Sequence, residues 1–123
     1  MKICGKHLYF FIECDIIEAT EIGQDQKGKG GTDMGKIISF CNQKGGVGKT
    51  TSAVNIAASL GVLGYKVLLI DLDPQGNATS GVGLMKKNLK NTIFEVLTTD
   101  MPTEEAIIQT HFDNLFIIPT HTT

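Results

Sequence analysis

The ten residues 42–51, Asn-Gln-Lys-Gly-Gly-Val-Gly-Lys-Thr-Thr, constrain this chain more than any other stretch. They stand between an apolar run, Lys36 to Cys41, and a helical pattern running from about Gly48 to about Leu63. Gly45, Gly46 and Gly48 let consecutive backbone N–H groups turn inward around an anion, because no side chain blocks close approach and unusual dihedrals cost little. A strand before such a turn and a helix after it separate a phosphate cradle from a chance glycine cluster. The helix start adds unpaired N–H groups and the positive end of its dipole, and Lys49 adds a full charge that can reach β- and γ-phosphates. Thr50 offers its hydroxyl to magnesium, an ion that keeps several waters and takes only one or two protein ligands. Val47 and Thr51 complete the expected binding run.

The general phosphate-loop pattern places glycine six positions before the lysine, and here that residue is Gln43, with a second lysine, Lys44, opening the loop. This KGG-x-GK-[TS] form resembles the ParA/MinD family of P-loop ATPases, and NQKGGVGKTT is most similar to its ParA/Soj partitioning branch. The resemblance implies an α/β P-loop NTPase fold, a mostly parallel sheet flanked by helices, of which the first three strands are expected here. It also implies ATP and Mg2+ as cofactors, dimerisation on ATP binding, and a catalytic role for Lys44 across the dimer at the partner's nucleotide.

From Met34 the chain alternates strand, loop, helix and strand. Within the helix Ala53, Ala57 and Gly61 repeat every four residues, as do Val54, Ala58 and Val62, while Ile56, Leu60 and Leu63 fill a third stripe. A helix apolar around so much of its circumference is expected to pack on a sheet and on neighbouring helices, with Gly64 as its C-terminal cap. The next strand, Lys66 to Asp71, is continuously apolar, the mark of a parallel strand covered on both faces.

That strand ends in Asp71-Leu72-Asp73-Pro74-Gln75-Gly76-Asn77. Ligands of open α/β sheets bind outside the carboxyl ends of the strands, so this turn and the phosphate loop are expected to face one crevice. Two carboxylates beside phosphates require a cation or an attacking water between them. DxDPQGN also resembles the ParA/Soj branch, which implies that Asp73 orients or activates water; Asp71 and Asp73 are both candidates for the magnesium site, Asp71 as support of the metal shell or of the turn.

Residues 1–33 differ from the rest. An apolar patch at residues 8–12 leads into the polar, glycine-rich run of residues 23–33, and the whole segment reads as an extension or flexible linker outside the family pattern, leaving residues 34–123 as the amino-terminal part of the ATPase domain. Gly81-Val82-Gly83 reads as a loop, Lys86, Lys87 and Lys90 as a solvated basic cluster, and residues 92–97 and 103–108 as two short helices with threonine caps. His111 reads as structural or exposed, and Leu115 to Pro119 as a third buried strand.

Composition narrows the function. The chain has 123 residues, 41% hydrophobic and 20% charged, with a net charge of -2, which gives no support to non-specific nucleic-acid or membrane binding by this segment as a whole. All 11 basic residues are lysine, so no arginine is present to act as a finger on a phosphate or as a bidentate reader of bases. Cys4, Cys14 and Cys41 lack metal-like spacing, and Cys41 reads as a small buried hydrophobe in a reducing cytoplasm. No stretch approaches the roughly 18 apolar residues of a membrane span, and no membrane association is expected.

Three functions are in view. The first is a partition ATPase for chromosome or plasmid segregation, in which the resemblance implies a ParB-like centromere-binding partner, non-specific DNA contact through regions outside this segment, and nucleoid association. The second is a MinD-like or other deviant-loop ATPase acting on another cargo. The third is a piece that binds nucleotide without hydrolysing it, because no apolar strand ending in aspartate follows residue 118 to help hold magnesium. Open sheet edges and an exposed apolar face are expected.

Overall fold

The computed structural model describes residues 8–14, 36–41 and 48–121. In chain order its elements are β1 (Leu8–Cys14), β2 (Lys36–Cys41), α1 (Lys49–Val62), β3 (Lys66–Asp71), α2 (Asn77–Gly81), α3 (Ile93–Thr98), β4 (Ile108–Gln109) and β5 (Leu115–Ile118). The strands form one sheet in the order β2-β1-β3-β5-β4, parallel except for β4, which runs antiparallel to β5. The fold is α/β, as the alternation of strands and helix predicts. Among the described residues the sheet holds five strands rather than three, because Leu8–Cys14 enters it between β2 and β3 and a two-residue strand caps its far edge.

Burial explains the continuous apolar run of β3. Val67 and Leu69 join Leu115 and Ile117 under α1, whose Ala53 and Ala57 are fully buried, whereas Leu68 and Ile118 pack on the opposite face with Ile93 and Ala106. Small residues on α1 let the helix approach the sheet closely. The outer side of α1 has no such cover: Ile56 is 43%, Val62 70% and Leu63 73% exposed. On β2, Ile37 and Ile38 are exposed, as expected of an edge strand on a partly covered sheet.

The end of α1 is built as its sequence suggests. Gly64 takes φ +93°, its N–H donates to the Gly61 carbonyl at 3.0 Å, and the Tyr65 N–H donates to the Leu60 carbonyl at 3.1 Å, the paired bonds of a Schellman cap. Gly61 has a different reason to lack a side chain. A Cβ there would lie 2.1 Å from the Asp113 carbonyl oxygen, and Asn114 Nδ2 donates to the Gly61 carbonyl at 3.0 Å, so the turn before β5 rests on bare helix backbone. Gly61→Ala is therefore expected to lower stability by about 1–3 kcal/mol, despite alanine's intrinsic helix advantage of about 1 kcal/mol. Urea unfolding of the two chains measures it.

Farther along, Thr92 caps α3 within a capping box: its Oγ1 accepts from the Phe94 N–H at 3.2 Å, and Glu95 Oε2 accepts from the Thr92 N–H at 2.7 Å. The Thr92 hydroxyl also donates to Glu95 Oε2 at 2.6 Å, and this bond, with that from the Thr92 N–H, holds the Glu95 carboxyl below the usual carboxylate range. The second expected helix is not one. Residues Thr103–Ala106 make a single 3-10 turn, Pro102 rather than Thr103 precedes it, and the chain then straightens into β4.

Candidate functional site: the carboxyl edge of the sheet

The strand register places the two key segments on one edge. Cys41, the last residue of β2, is level with Cys14 of β1, and Asp71, the last residue of β3, is level with Glu13. The phosphate loop thus leaves β2 and the acidic turn leaves β3 at the same end of the sheet, separated by the width of one intervening strand, roughly 10 Å between the outer pair. Lys44, Gly45, Gly46 and Val47 lie outside the described residues.

Gly48 precedes α1 with φ +82°, a left-handed conformation that favours glycine, and its carbonyl accepts the Ser52 N–H at 2.8 Å. Nothing lies within 4 Å of where its Cβ would be, so backbone conformation rather than space requires glycine there. Lys49 and Thr50 follow in the first helical turn, both half-buried, with Thr51 exposed. That turn contains no acidic residue, which leaves the positive end of the helix dipole uncancelled from within.

The acidic turn is tightly determined. Asp71 is fully buried; its Oδ1 accepts the Asp73 N–H at 3.0 Å, and its Oδ2 accepts both the Thr79 N–H at 2.8 Å and the Thr79 hydroxyl at 2.6 Å. Thr79 Oγ1 in turn accepts the Thr120 N–H at 3.1 Å, which ties α2 to the chain leaving β5. Burial pushes the Asp71 carboxyl above the ordinary carboxylate range, against the opposing pull of these hydrogen bonds. Asp73, only 6% exposed, accepts from the Gln75 N–H at 3.0 Å and from Asn77 Nδ2 at 2.9 Å, so among the described residues each oxygen accepts one bond and has capacity for another.

Gly76 turns the corner at φ +64°, where a Cβ would meet Lys86 Cε at 2.9 Å and the Thr120 carbonyl at 3.0 Å. Lys86 Nζ donates to the Gln75 carbonyl. The sequence reading placed Lys86 in a solvated cluster; the structure draws it onto the acidic turn, a role that no local pattern signals. It also missed α2, whose Ala78, Thr79 and following Val82 are buried. A Cβ on Gly81 would lie 3.5 Å from Val54, so α2 packs against α1. His111 is exposed, as read.

On the sheet face away from α1, a cavity of about 370 Å³ opens beside Leu72, Pro74, Ile93, Phe94 and Leu97. Its apolar lining suits packing rather than phosphate. Among the described residues no three His, Cys, Asp or Glu side chains converge on a metal position. A hydroxyl and one carboxylate nonetheless match the few hard oxygen donors that magnesium takes from protein.

A parallel strand followed by a glycine-rich segment and a helix, with an acidic turn leaving a second strand at the same edge, defines the P-loop NTPase class. The sequence profile of the AAA domain family (AAA_31) matches residues 35–123, and the chain belongs to that family. It is 50% identical over 86 residues to the sporulation initiation inhibitor protein Soj of Bacillus subtilis, covering 70% of this chain and 34% of that protein. It is 47% identical over 91 residues to the chromosome partitioning protein ParA of Myxococcus xanthus, covering 74% and 32% respectively. The septum site-determining protein MinD of Pyrococcus horikoshii, solved with Mg-ADP, superposes with a TM-score of 0.63 at 26% identity, over 95% of this chain and 36% of that one. The chain thus spans about a third of the length of the curated relatives it matches. Among the described residues no helix is long and apolar enough to cross a membrane.

Proposed function

We propose that the chain binds Mg-ATP at the carboxyl edge of its sheet and serves as the nucleotide-binding part of a partition ATPase. The observation that carries this reading is the shared edge: Lys49 and Thr50 start α1 where Asp71 and Asp73 leave β3. Residues 44–51 would cradle the phosphates, with Lys49 as the charge on the β- and γ-phosphates. Thr50 and Asp73 would hold magnesium and its waters, and Asp71 would support that shell through the turn it fixes. Magnesium, when bound, neutralises phosphate charge. Asp73, each of whose oxygens accepts one bond among the described residues, would orient the attacking water.

In a protein of the relatives' full length, ATP would bring two subunits together, with Lys44 reaching the partner's nucleotide. The dimer would hold DNA non-specifically, and a ParB-like centromere-binding protein would stimulate hydrolysis and release, giving a cytoplasmic, nucleoid-associated cycle. If Lys44→Ala left both dimerisation and DNA retention intact, that role for the lysine would be withdrawn. The likeness to MinD supports a second reading, the same switch working on another cargo.

Asp73 separates hydrolysis from binding. With purified chain and Mg-ATP, Asp73→Ala is expected to cut hydrolysis by about 100-fold or more while nucleotide affinity changes only a few-fold, as suits a group that acts on water. Unchanged turnover would remove Asp73 from the mechanism. Binding without turnover by the unmodified chain would favour the non-hydrolysing reading.

A further inference from the structure

The turn that carries Asp73 is a four-residue reversal from Asp73 to Gly76. The Gly76 N–H donates to the Asp73 carbonyl at 2.8 Å, and the Gln75 N–H donates to Asp73 Oδ1 at 3.0 Å, so backbone and carboxylate share one frame. Lys86 enters that frame from eleven residues away, beyond α2, where Lys86–Asn88 forms a single 3-10 turn. Its Nζ donates to the Gln75 carbonyl, so the peptide unit between Gln75 and Gly76 is held at its carbonyl by Lys86 and at its N–H by Asp73.

The lysine stem is seated as well as its head. A Cβ on Gly76 would lie 2.9 Å from Lys86 Cε and 3.3 Å from Nζ, so the stem crosses the face that glycine leaves bare. Lys86 is accordingly half-buried, while Lys87 and Lys90 beside it are exposed. A hydrogen bond from a charged donor is roughly twice as strong as a neutral one, which suits the ammonium to fixing a turn. We propose that Lys86 is a positioning residue for Asp73: by holding the Gln75–Gly76 peptide it sets where the Asp73 carboxylate points, and turnover depends on that hold while nucleotide binding does not. The turnover part rests on the reading of Asp73 as the group that orients water; the seat of Lys86 does not.

Hydrolysis of Mg-ATP by the full chain tests the turnover part. A misplacement of about 1 Å can cost about 100-fold, and a loosened turn should cost less, so Lys86→Ala is expected to lower kcat about tenfold with KM and the Kd for Mg-ADP within about threefold. Lys86→Met keeps the apolar stem and loses the ammonium, and it should fall as far. Lys86→Arg keeps a charged donor and should recover most of the loss, and Lys87→Ala should match the parent. Residues of one network do not add, so in an Asp73→Ala background Lys86→Ala should cost less than about twofold more. Lost affinity at unchanged kcat would make Lys86 a nucleotide contact. Parental turnover in Lys86→Ala and Lys86→Met, or full additivity with Asp73→Ala, would equally overturn the positioning role.

The seat is tested without nucleotide. Limiting acetic anhydride, from which a lysine amine displaces acetate, should modify Lys86 in the native full chain about threefold or more slowly than Lys87 and Lys90, because an amine held on a carbonyl meets the reagent less often. In urea the three rates should converge, as peptide mapping by mass reads them. Equal rates in the native chain would overturn the seat and the proposal with it. If Lys86 were protected while the parent chain hydrolysed no ATP, the water-orienting reading of Asp73 and the turnover role built on it would fall, and the seat on the acidic turn would stand.

Discussion

Replacing Lys49 by alanine is expected to weaken binding of Mg-ATP or Mg-ADP by roughly 100-fold, because a hydrogen bond to a charged group contributes about 1.5–3 kcal/mol and each 1.4 kcal/mol is tenfold in Kd. Titration of a fluorescent nucleotide analogue measures it. A lysine in the first turn of α1 faces the positive end of the helix dipole, an arrangement that costs a few tenths of a kcal/mol rather than stabilising the helix. The helix dipole therefore gives no stabilisation for the alanine variant to lose. Lys49→Arg tests geometry separately from charge: the broad guanidinium fork should not restore the affinity of a compact ammonium in a loop closed by glycines. Full affinity in the alanine variant would place the phosphate-binding charge elsewhere. Lost affinity together with lost stability would make Lys49 a structural residue.

The parts of this molecule written in local pattern were legible before any coordinates. Lys36–Cys41 and Lys66–Asp71 are apolar runs between turn residues, and the four-residue repeat of Ala53, Ala57 and Gly61 is the buried stripe of α1. Long-range chemistry was not legible. The five residues of α2, Asn-Ala-Thr-Ser-Gly, have no helical period; the helix exists because Asp71 accepts from the Thr79 backbone and hydroxyl and because Gly76 supplies the left-handed corner before it. β4 is two residues long and carries no alternation to read. The apolar patch at residues 8–12 cannot be told from a helix segment by periodicity alone, and its place at the centre of the sheet is a matter of pairing partners 27 or more residues away. In the site, the types of residue were legible and their division of labour was not. Two aspartates two positions apart look alike in sequence, yet among the described residues Asp71 accepts three bonds from its own turn and α2 while each oxygen of Asp73 accepts only one.

That division makes Asp71→Ala the second large effect. The substitution strands the N–H groups of Asp73 and Thr79 and the Thr79 hydroxyl in a buried site, and an unsatisfied buried donor costs about 1–3 kcal/mol. With partial relaxation the expected loss is about 3 kcal/mol or more, read by urea unfolding at constant pH. The dependence on pH has a definite sign. Burial holds the Asp71 carboxyl in the folded protein above its unfolded value, so the stability it contributes is full below the unfolded value and declines as pH rises through the folded one. The deficit of the alanine variant should therefore be largest in acid and shrink toward neutral pH, although it should not vanish, because the stranded donors remain at every pH. Asp71→Asn removes the charge and keeps one acceptor for the Asp73 N–H, and its stability should lack the same decline with rising pH. A deficit that instead grew as pH rose would mean that the hydrogen bonds from Thr79 and Asp73 outweigh burial and that the carboxylate is a net stabiliser when ionised. Burial then would not be the dominant force on this group, and the turn that carries Asp73 would be held by its charge.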